Sequence, residues 1–283
     1  RSKMKLRDRG SVQDSELIKH LLHDHQINTV YHAAAYKHVP LVEENPLEGL
    51  RNNALGTQTL IDKCIEAKVN SFVLISTDKA VRPTNIMGAS KRIAEMVVQD
   101  VARRFPKRKI GIVRFGNVLD SSGSVVPLFR EQIKNRQPIT VTHPEITRYF
   151  MSIREAARLV IQAGAMSKNG EVFLLDMGQP VKIKDLALQM IELSGLVPEK
   201  DIPMQFTGLR PGEKLYEELL IDPAQSQTTL HPRIFCSEEP LPEVKVLEKE
   251  ISILTEAIEQ RDISNALASM KRLVPEYNPD NGQ

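Results

Sequence analysis

The run Ser71-Phe72-Val73-Leu74-Ile75 constrains this chain more than any other stretch. It is short, rich in strand formers and apolar on both faces, the pattern of a strand buried inside a parallel sheet. The run continues into Ser76-Thr77-Asp78-Lys79, so polar and ionisable side chains emerge at its carboxyl end, where open α/β sheets bind ligands. A helix starting near Asn85 follows, and on it Met87 and Lys91, four residues apart, share one face.

The same alternation extends on both sides. Strand patterns near Asn28 to Tyr31, Ser71 to Ser76 and Lys109 to Phe115 are separated by helical patterns from Pro46 to Ala67 and from Asn85 to Arg104. That order predicts an α/β fold with a Rossmann-like, doubly wound parallel sheet. Each strand ends in small or polar residues, namely His32 to Ala35, Ser76 to Lys79 and Gly116-Asn117, and the three ends are expected to line one crevice. A dinucleotide-binding fold normally opens with a Gly-x-Gly-x-x-Gly turn, which is absent from these 283 residues. The expectation is therefore a sheet whose first βαβ unit is missing from the chain.

Beyond Val125 the pattern changes to helices (Val125 to Asn135, Ile153 to Met166, Ile183 to Ser194) interleaved with short strands such as Glu171 to Asp176. The expected division is an incomplete cofactor-binding domain over residues 1–124, mainly a substrate-binding lobe with returning sheet elements over 125–240, and a helical extension over 241–283. In that extension Leu247, Ile251, Leu254 and Ile258 fall at helical spacing.

Composition removes several classes of function. A net charge of +2 is too small for nucleic-acid binding, and the basic clusters at Arg1 to Arg9 and Arg103 to Lys109 read as solvated faces. No apolar run approaches the ~18 residues of a membrane span, and no signal core is visible, so a soluble cytoplasmic domain is expected. Cys64 and Cys236 lack paired spacing and the seven histidines are scattered, which points to reduced thiols and no metal site.

Three strings carry a closer resemblance: Ser76-Thr77-Asp78-Lys79-Ala80, Met87-Gly88-Ala89-Ser90-Lys91, and Arg210-Pro211-Gly212-Glu213-Lys214. Together they resemble the extended short-chain dehydrogenase/reductase superfamily, and within it the UDP-N-acetylglucosamine 4,6-dehydratases of polysaccharide biosynthesis. The resemblance runs from about Gly10 to Tyr277. One departure stands out, since Met87 occupies the position of the superfamily's usual tyrosine and a thioether cannot ionise.

The resemblance implies tightly bound NAD+ or NADP+, a UDP-sugar substrate, a homo-oligomer and a membrane anchor upstream of the chain, making this a soluble part of an inner-membrane protein. It implies that the two long helices at Pro46 to Ala67 and Asn85 to Arg104 meet a second subunit. It also distributes roles: Thr77 to the sugar 4-hydroxyl, Asp78 to protonation of the departing 6-hydroxyl, Lys79 to removal of the C5 proton, and Lys91 to the nicotinamide ribose. Met87 leaves the 4-hydroxyl proton to Asp78, Lys91 or a water. Ser11 and Val12 are assigned to adenine, Ala33, Ala34 and Ala35 to the pyrophosphate and ribose, Ser76 to the nicotinamide end, and Phe115 to the cofactor. Substrate contacts are expected from Lys37, Arg114, Asn117, Ser124, Val125, Arg148, Arg210 and Glu213, with Arg148 and Arg210 offering forks to the diphosphate.

An acid aspartate near neutral pH needs a raised pKa and a basic lysine a lowered one, so enclosure of the site by substrate and cofactor must outweigh the mutual charge of Asp78 and Lys79. Two other readings remain open on sequence: a nucleotide-sugar epimerase, which has the same fold and ligand but needs no acid for C6, and a non-catalytic nucleotide-sugar-binding protein, which Met87 permits.

Overall fold

A computed structural model describes residues 9–217 and 226–279. Of the basic cluster at Arg1 to Arg9, only Arg9 falls among them. The strands β1 (Thr29–His32), β2 (Ser71–Thr77) and β3 (Lys109–Phe115) lie side by side in that order. They are parallel, with Tyr31 opposite Val73 and Thr77 opposite Phe115. The sheet continues through Glu171–Leu175, also parallel, and then through Ile234–Ser237 and Ser226–Thr228, both antiparallel. The pairing brings the carboxyl ends of β1, β2 and β3 to one edge of the sheet.

Side chains alternate across the sheet and separate two cores. Phe72, Leu74, Ile110 and Ile112 face the helices Gly56–Glu66 and Ile86–Arg104. Val73, Val113 and Phe173 face Ala156, Leu159 and Ala163 of the Ile153–Met166 helix. Helices on both faces make this a doubly wound, Rossmann-like α/β fold. A third core, built from Phe129, Ile133, Ile139, Ile183, Ile191 and Ile202, belongs to a smaller lobe beside the sheet.

The helical stretch from Pro46 to Glu66 is continuous but contains a π-helical segment, Arg51–Leu55. Its neighbour, Ile86–Arg104, starts at Asn85, whose side chain accepts a hydrogen bond from the Gly88 N–H at 2.8 Å and so caps the helix. That helix is buried from Ile86 to Ala102 except at Gln99. Its cover is the chain's own tail: Leu247, Ile251, Leu254 and Ile258 of Val244–Glu259, with Met270 and Leu273 of Ile263–Leu273, share its core. Of the two helices expected to meet a second subunit, Ile86–Arg104 is thus covered by the chain's own tail. Among the described residues, no helix is long and apolar enough to cross a membrane.

Candidate active site

Strand β2 ends at Thr77, and the next three residues, Asp78–Ala80, form a tight 3-10 turn. The turn sits against the start of the Ile86–Arg104 helix through Gly88. A Cβ there would lie 2.1 Å from the Lys79 carbonyl oxygen, so only glycine allows the approach. Thr77 Oγ1 donates to Asp78 Oδ1 at 2.9 Å. Lys79 Nζ donates to the same oxygen at 3.0 Å, to Glu217 Oε1 at 3.0 Å and to Asn117 Oδ1 at 3.4 Å. Asp78 is 2% exposed, and its second oxygen, Oδ2, is buried with no hydrogen-bond partner among the described residues.

The charges in this cluster act unequally. Burial raises the pKa of Asp78, and the nearby Glu217 carboxylate adds to the rise, against the opposing charge of Lys79. This is the direction an acid needs. At Lys79 burial works downward, but the carboxylates of Asp78 and Glu217 together outweigh it and the pKa rises. In this arrangement, set by the protein's own groups, the lysine is held as a cation. Burial also opposes ionisation of Glu217, yet Lys79 and Arg148 overcome it and hold the carboxyl below its ordinary range.

Lys91 lies deeper. It is 5% exposed, its Nζ donates to the Ile75 carbonyl at 2.8 Å, and burial brings its pKa down to about 8 against the pull of Glu95. The Ile75 contact places the amine two residues upstream of Thr77, beneath the strand end and outside the cavity lining. Met87 packs into the main apolar core at 4% exposure, so packing accounts for that side chain.

Several expected contacts are drawn elsewhere. Ser76 Oγ donates to Glu95 Oε1 at 2.6 Å, away from the strand-end crevice. Arg114 grips Glu95 with Nε at 2.8 Å and Nη2 at 2.6 Å, and reaches Glu239 with Nη1 at 2.6 Å. Arg92 joins through Glu95 at 3.2 Å, completing a buried ionic cluster under the sheet. Ser76 and Arg114 are thus structural anchors. Phe115 packs on the core against Ile153–Met166, and Val125 on the core of the smaller lobe. Ser124 Oγ is buried without a hydrogen-bond partner among the described residues. Ala33 and Ala34, at the end of β1, are exposed, and Ala35 is half-buried. Ser11 is exposed, while Val12 packs toward Gly56.

A cavity of about 240 Å3 opens beside Lys79. Asn117, Arg148 and Glu217 line its inner end with Lys79, and Lys37, His38, Arg210 and Glu213 also face it. The loop carrying Arg210 and Glu213 is held in place by Gly212, whose carbonyl accepts from Thr84 Oγ1 and Asn85 Nδ2, each at 3.1 Å. Gly212 has φ of +71°, a backbone state that favours glycine. Arg148 is already engaged: Nη2 meets Glu213 Oε1 and Nε meets Glu217 Oε1, both at 3.2 Å. Glu213 Oε2 also accepts from the Arg210 backbone N–H at 3.1 Å. The fork expected to bind a diphosphate therefore binds two carboxylates here. Lys37 reaches Ser121 Oγ at 3.3 Å, and Gly123 lies against the His38 ring, so these two loops meet where they line the cavity.

Glu217 is the site residue that sequence reasoning missed. It lies four positions beyond Glu213, just past the string that supplied Arg210 and Glu213, and only the tertiary fold brings it to Lys79.

Comparison with known proteins agrees with this architecture. The capsular polysaccharide biosynthesis protein CapD of Staphylococcus aureus is 56% identical over 224 residues, which cover 79% of this chain and 36% of that protein. The chain thus spans little more than a third of that relative's length. Among solved structures, Pen from Bacillus thuringiensis is 36% identical with a TM-score of 0.74, covering 83% of this chain and 72% of Pen. DesIV from Streptomyces venezuelae, a dTDP-glucose 4,6-dehydratase solved with NAD and DAU bound, shares the fold at 20% identity and a TM-score of 0.67, covering 74% of this chain and 69% of its own. A family model described as polysaccharide biosynthesis protein matches residues 2–239, and the chain belongs to that family.

Proposed function

We propose that this chain carries the active site of a nucleotide-sugar 4,6-dehydratase, converting UDP-N-acetylglucosamine to the UDP-4-keto-6-deoxy sugar with tightly bound NAD+ or NADP+, in surface polysaccharide biosynthesis. The observation that carries this reading is the meeting of Thr77, Asp78 and Lys79 at the carboxyl end of β2, with the Asp78 carboxyl buried and its pKa raised and Lys79 lining the cavity. A C4 epimerase needs no acid for a leaving hydroxyl at C6. The Asp78–Lys79 pair therefore favours elimination.

When bound, the dinucleotide supplies the acceptor and later the donor of one hydride, so the reaction as a whole loses only water. The residues present suit such a group. Ala33 and Ala34 leave the end of β1 open to close approach, and the Lys91 ammonium has three N–H bonds, of which the Ile75 carbonyl takes one. Thr77 orients the sugar 4-hydroxyl, and Asp78 in its protonated form donates to the departing 6-hydroxyl. Lys79 removes the C5 proton once it has itself become neutral. Since Met87 offers no proton acceptor, the 4-hydroxyl proton leaves through another group. Lys91, with a pKa of about 8, is the group best matched to neutral pH for that step. Lys37 and Arg210 face the cavity and provide positive charge for a diphosphate.

Incubation of the full-length protein with UDP-N-acetylglucosamine tests the reading by product mass. Loss of one water is expected. An isomer of unchanged mass would indicate epimerisation, and binding without turnover a nucleotide-sugar-binding protein.

A further inference from the structure

Lys79 Nζ has three oxygen neighbours: Asp78 Oδ1 at 3.0 Å, Glu217 Oε1 at 3.0 Å and Asn117 Oδ1 at 3.4 Å. Three acceptors match the three N–H bonds of an ammonium and leave no direction for the lone pair of a free amine. In this arrangement Lys79 cannot take a proton from carbon. Beside it, Asp78 Oδ1 accepts from Thr77 and Lys79, while Oδ2 is buried with no donor among the described residues, so half of the carboxylate's charge goes without hydrogen bonds there.

We propose that Glu217 is a positioning residue that holds Lys79 as the ammonium, and that its withdrawal onto a sugar hydroxyl lets Lys79 pass one proton to Asp78, preparing base and acid together. The inference rests on the dehydratase reading. An N–H bond of Lys79 breaks and an O–H bond of Asp78 forms, with the proton count of the pair unchanged. During elimination the neutral amine takes the C5 proton, the C5–H electrons form the C5–C6 double bond, the C6–O bond breaks, and Asp78 gives its proton to the departing hydroxyl. Water leaves, and the pair returns to ammonium and carboxylate.

The charges facing Lys79 come from every side of its pocket. Asp78 lies on its own turn, Glu217 comes from the loop that also carries Lys214, and Arg148 comes from the short strand Thr147–Arg148. Lys37, His38, Arg210 and Glu213 stand further along the cavity. Arg148 opposes the ammonium, but it is paired to Glu213 and Glu217. The raised pKa values of Asp78 and Lys79 and the lowered one of Glu217 agree with the geometry.

Competitive acetylation with acetic anhydride, read by mass spectrometry across pH, measures the titration of Lys79 directly. In the unaltered protein Lys79 should titrate above an exposed lysine. Glu217→Gln should lower that titration by about one unit, making Lys79 roughly tenfold more reactive at a fixed pH below it. Glu213→Gln, which removes a carboxylate that touches Arg148 and not Lys79, should leave the reactivity within about twofold. Equal Lys79 reactivity with and without the Glu217 charge, or ordinary titration in the unaltered protein, would overturn the proposal. If Glu217→Gln does not fold by circular dichroism, Glu217→Asp, which draws the carboxylate back, carries the same expectation. If the unaltered protein releases no water from UDP-N-acetylglucosamine, the dehydratase reading fails whatever the labelling shows. If it does and the labelling does not shift, this proposal fails alone.

Discussion

Replacing Lys91 by methionine should stabilise the fold while abolishing turnover. Burial brings the Lys91 pKa from 10.5 to about 8, a drop of about 2.5 units, and at ~1.36 kcal/mol per unit the ammonium costs the native state about 3 kcal/mol at neutral pH. Loss of the bond to the Ile75 carbonyl removes about 1 kcal/mol, leaving a net gain of about 2 kcal/mol for Lys91→Met. The melting temperature should then rise by roughly 4 to 8 °C at pH 7. The folded pKa lies below the unfolded one, so both states are protonated below about pH 8 and the cost is fully present there. As pH climbs from about 8 to 10.5, the folded state releases its proton first, the native protein recovers that stability, and the gap to the variant closes. Thermal melts of both proteins at pH 7, 8, 9 and 10 measure the gap. A variant that melts at or below the native protein at pH 7, or a gap constant across that range, would refute the reasoning. Stability held down at a working residue is a familiar cost of an active site.

Asp78→Asn keeps the shape of the side chain but cannot supply the acid proton, so turnover should fall by roughly 10²- to 10⁴-fold while calorimetry still detects UDP-sugar binding. Gly88→Ala sets a Cβ 2.1 Å from the Lys79 carbonyl and must displace the Asp78–Ala80 turn; turnover should drop even though alanine is the better helix former, and unchanged kinetics would show the turn's position to be unimportant. Glu95→Ala leaves Arg114 and Arg92 without their shared buried carboxylate and should cost about 3 to 5 kcal/mol in urea denaturation. Arg114, the Ser76 hydroxyl and Arg92 overcome burial to hold the Glu95 pKa at about 2, below its ordinary 4.5. Its contribution is therefore present above pH 4.5 and disappears as pH falls toward 2, and the unaltered protein should lose stability across that window more steeply than the variant.

Much of the sheet and its helices can be read from residue order alone. The pattern for Lys109 to Phe115 coincides with the strand, and the Asn85 cap stands immediately before Ile86. These elements follow local rules, namely apolar runs, capping side chains and helical spacing. The antiparallel strands Ser226–Thr228 and Ile234–Ser237 escaped because neither run is long or continuously apolar, and partners across the sheet create them. Thr77, Asp78 and Lys79 were legible since they are consecutive at a strand end. Glu217 was not, because its meeting with Lys79 spans residues far apart in sequence. The same applies to Ser76 and Arg114: strand alternation turns both toward Glu95, and nothing in the run itself distinguishes a buried anchor from a ligand contact. The helical spacing of Leu247, Ile251, Leu254 and Ile258 announced a helical tail, but which apolar face it would cover was set by the tertiary fold, and it met Ile86–Arg104.

The most direct test of the central claim is a structure of the protein with UDP-N-acetylglucosamine and NAD+ or NADP+ bound. The account predicts a hexose at the inner end of the cavity, with its 6-hydroxyl within about 3 Å of the Asp78 carboxyl and C5 facing the Lys79 amine. A hexose held only at the Lys37 and Arg210 end, with Asp78 and Lys79 still closed against Glu217 and out of reach of C5 and C6, would contradict it.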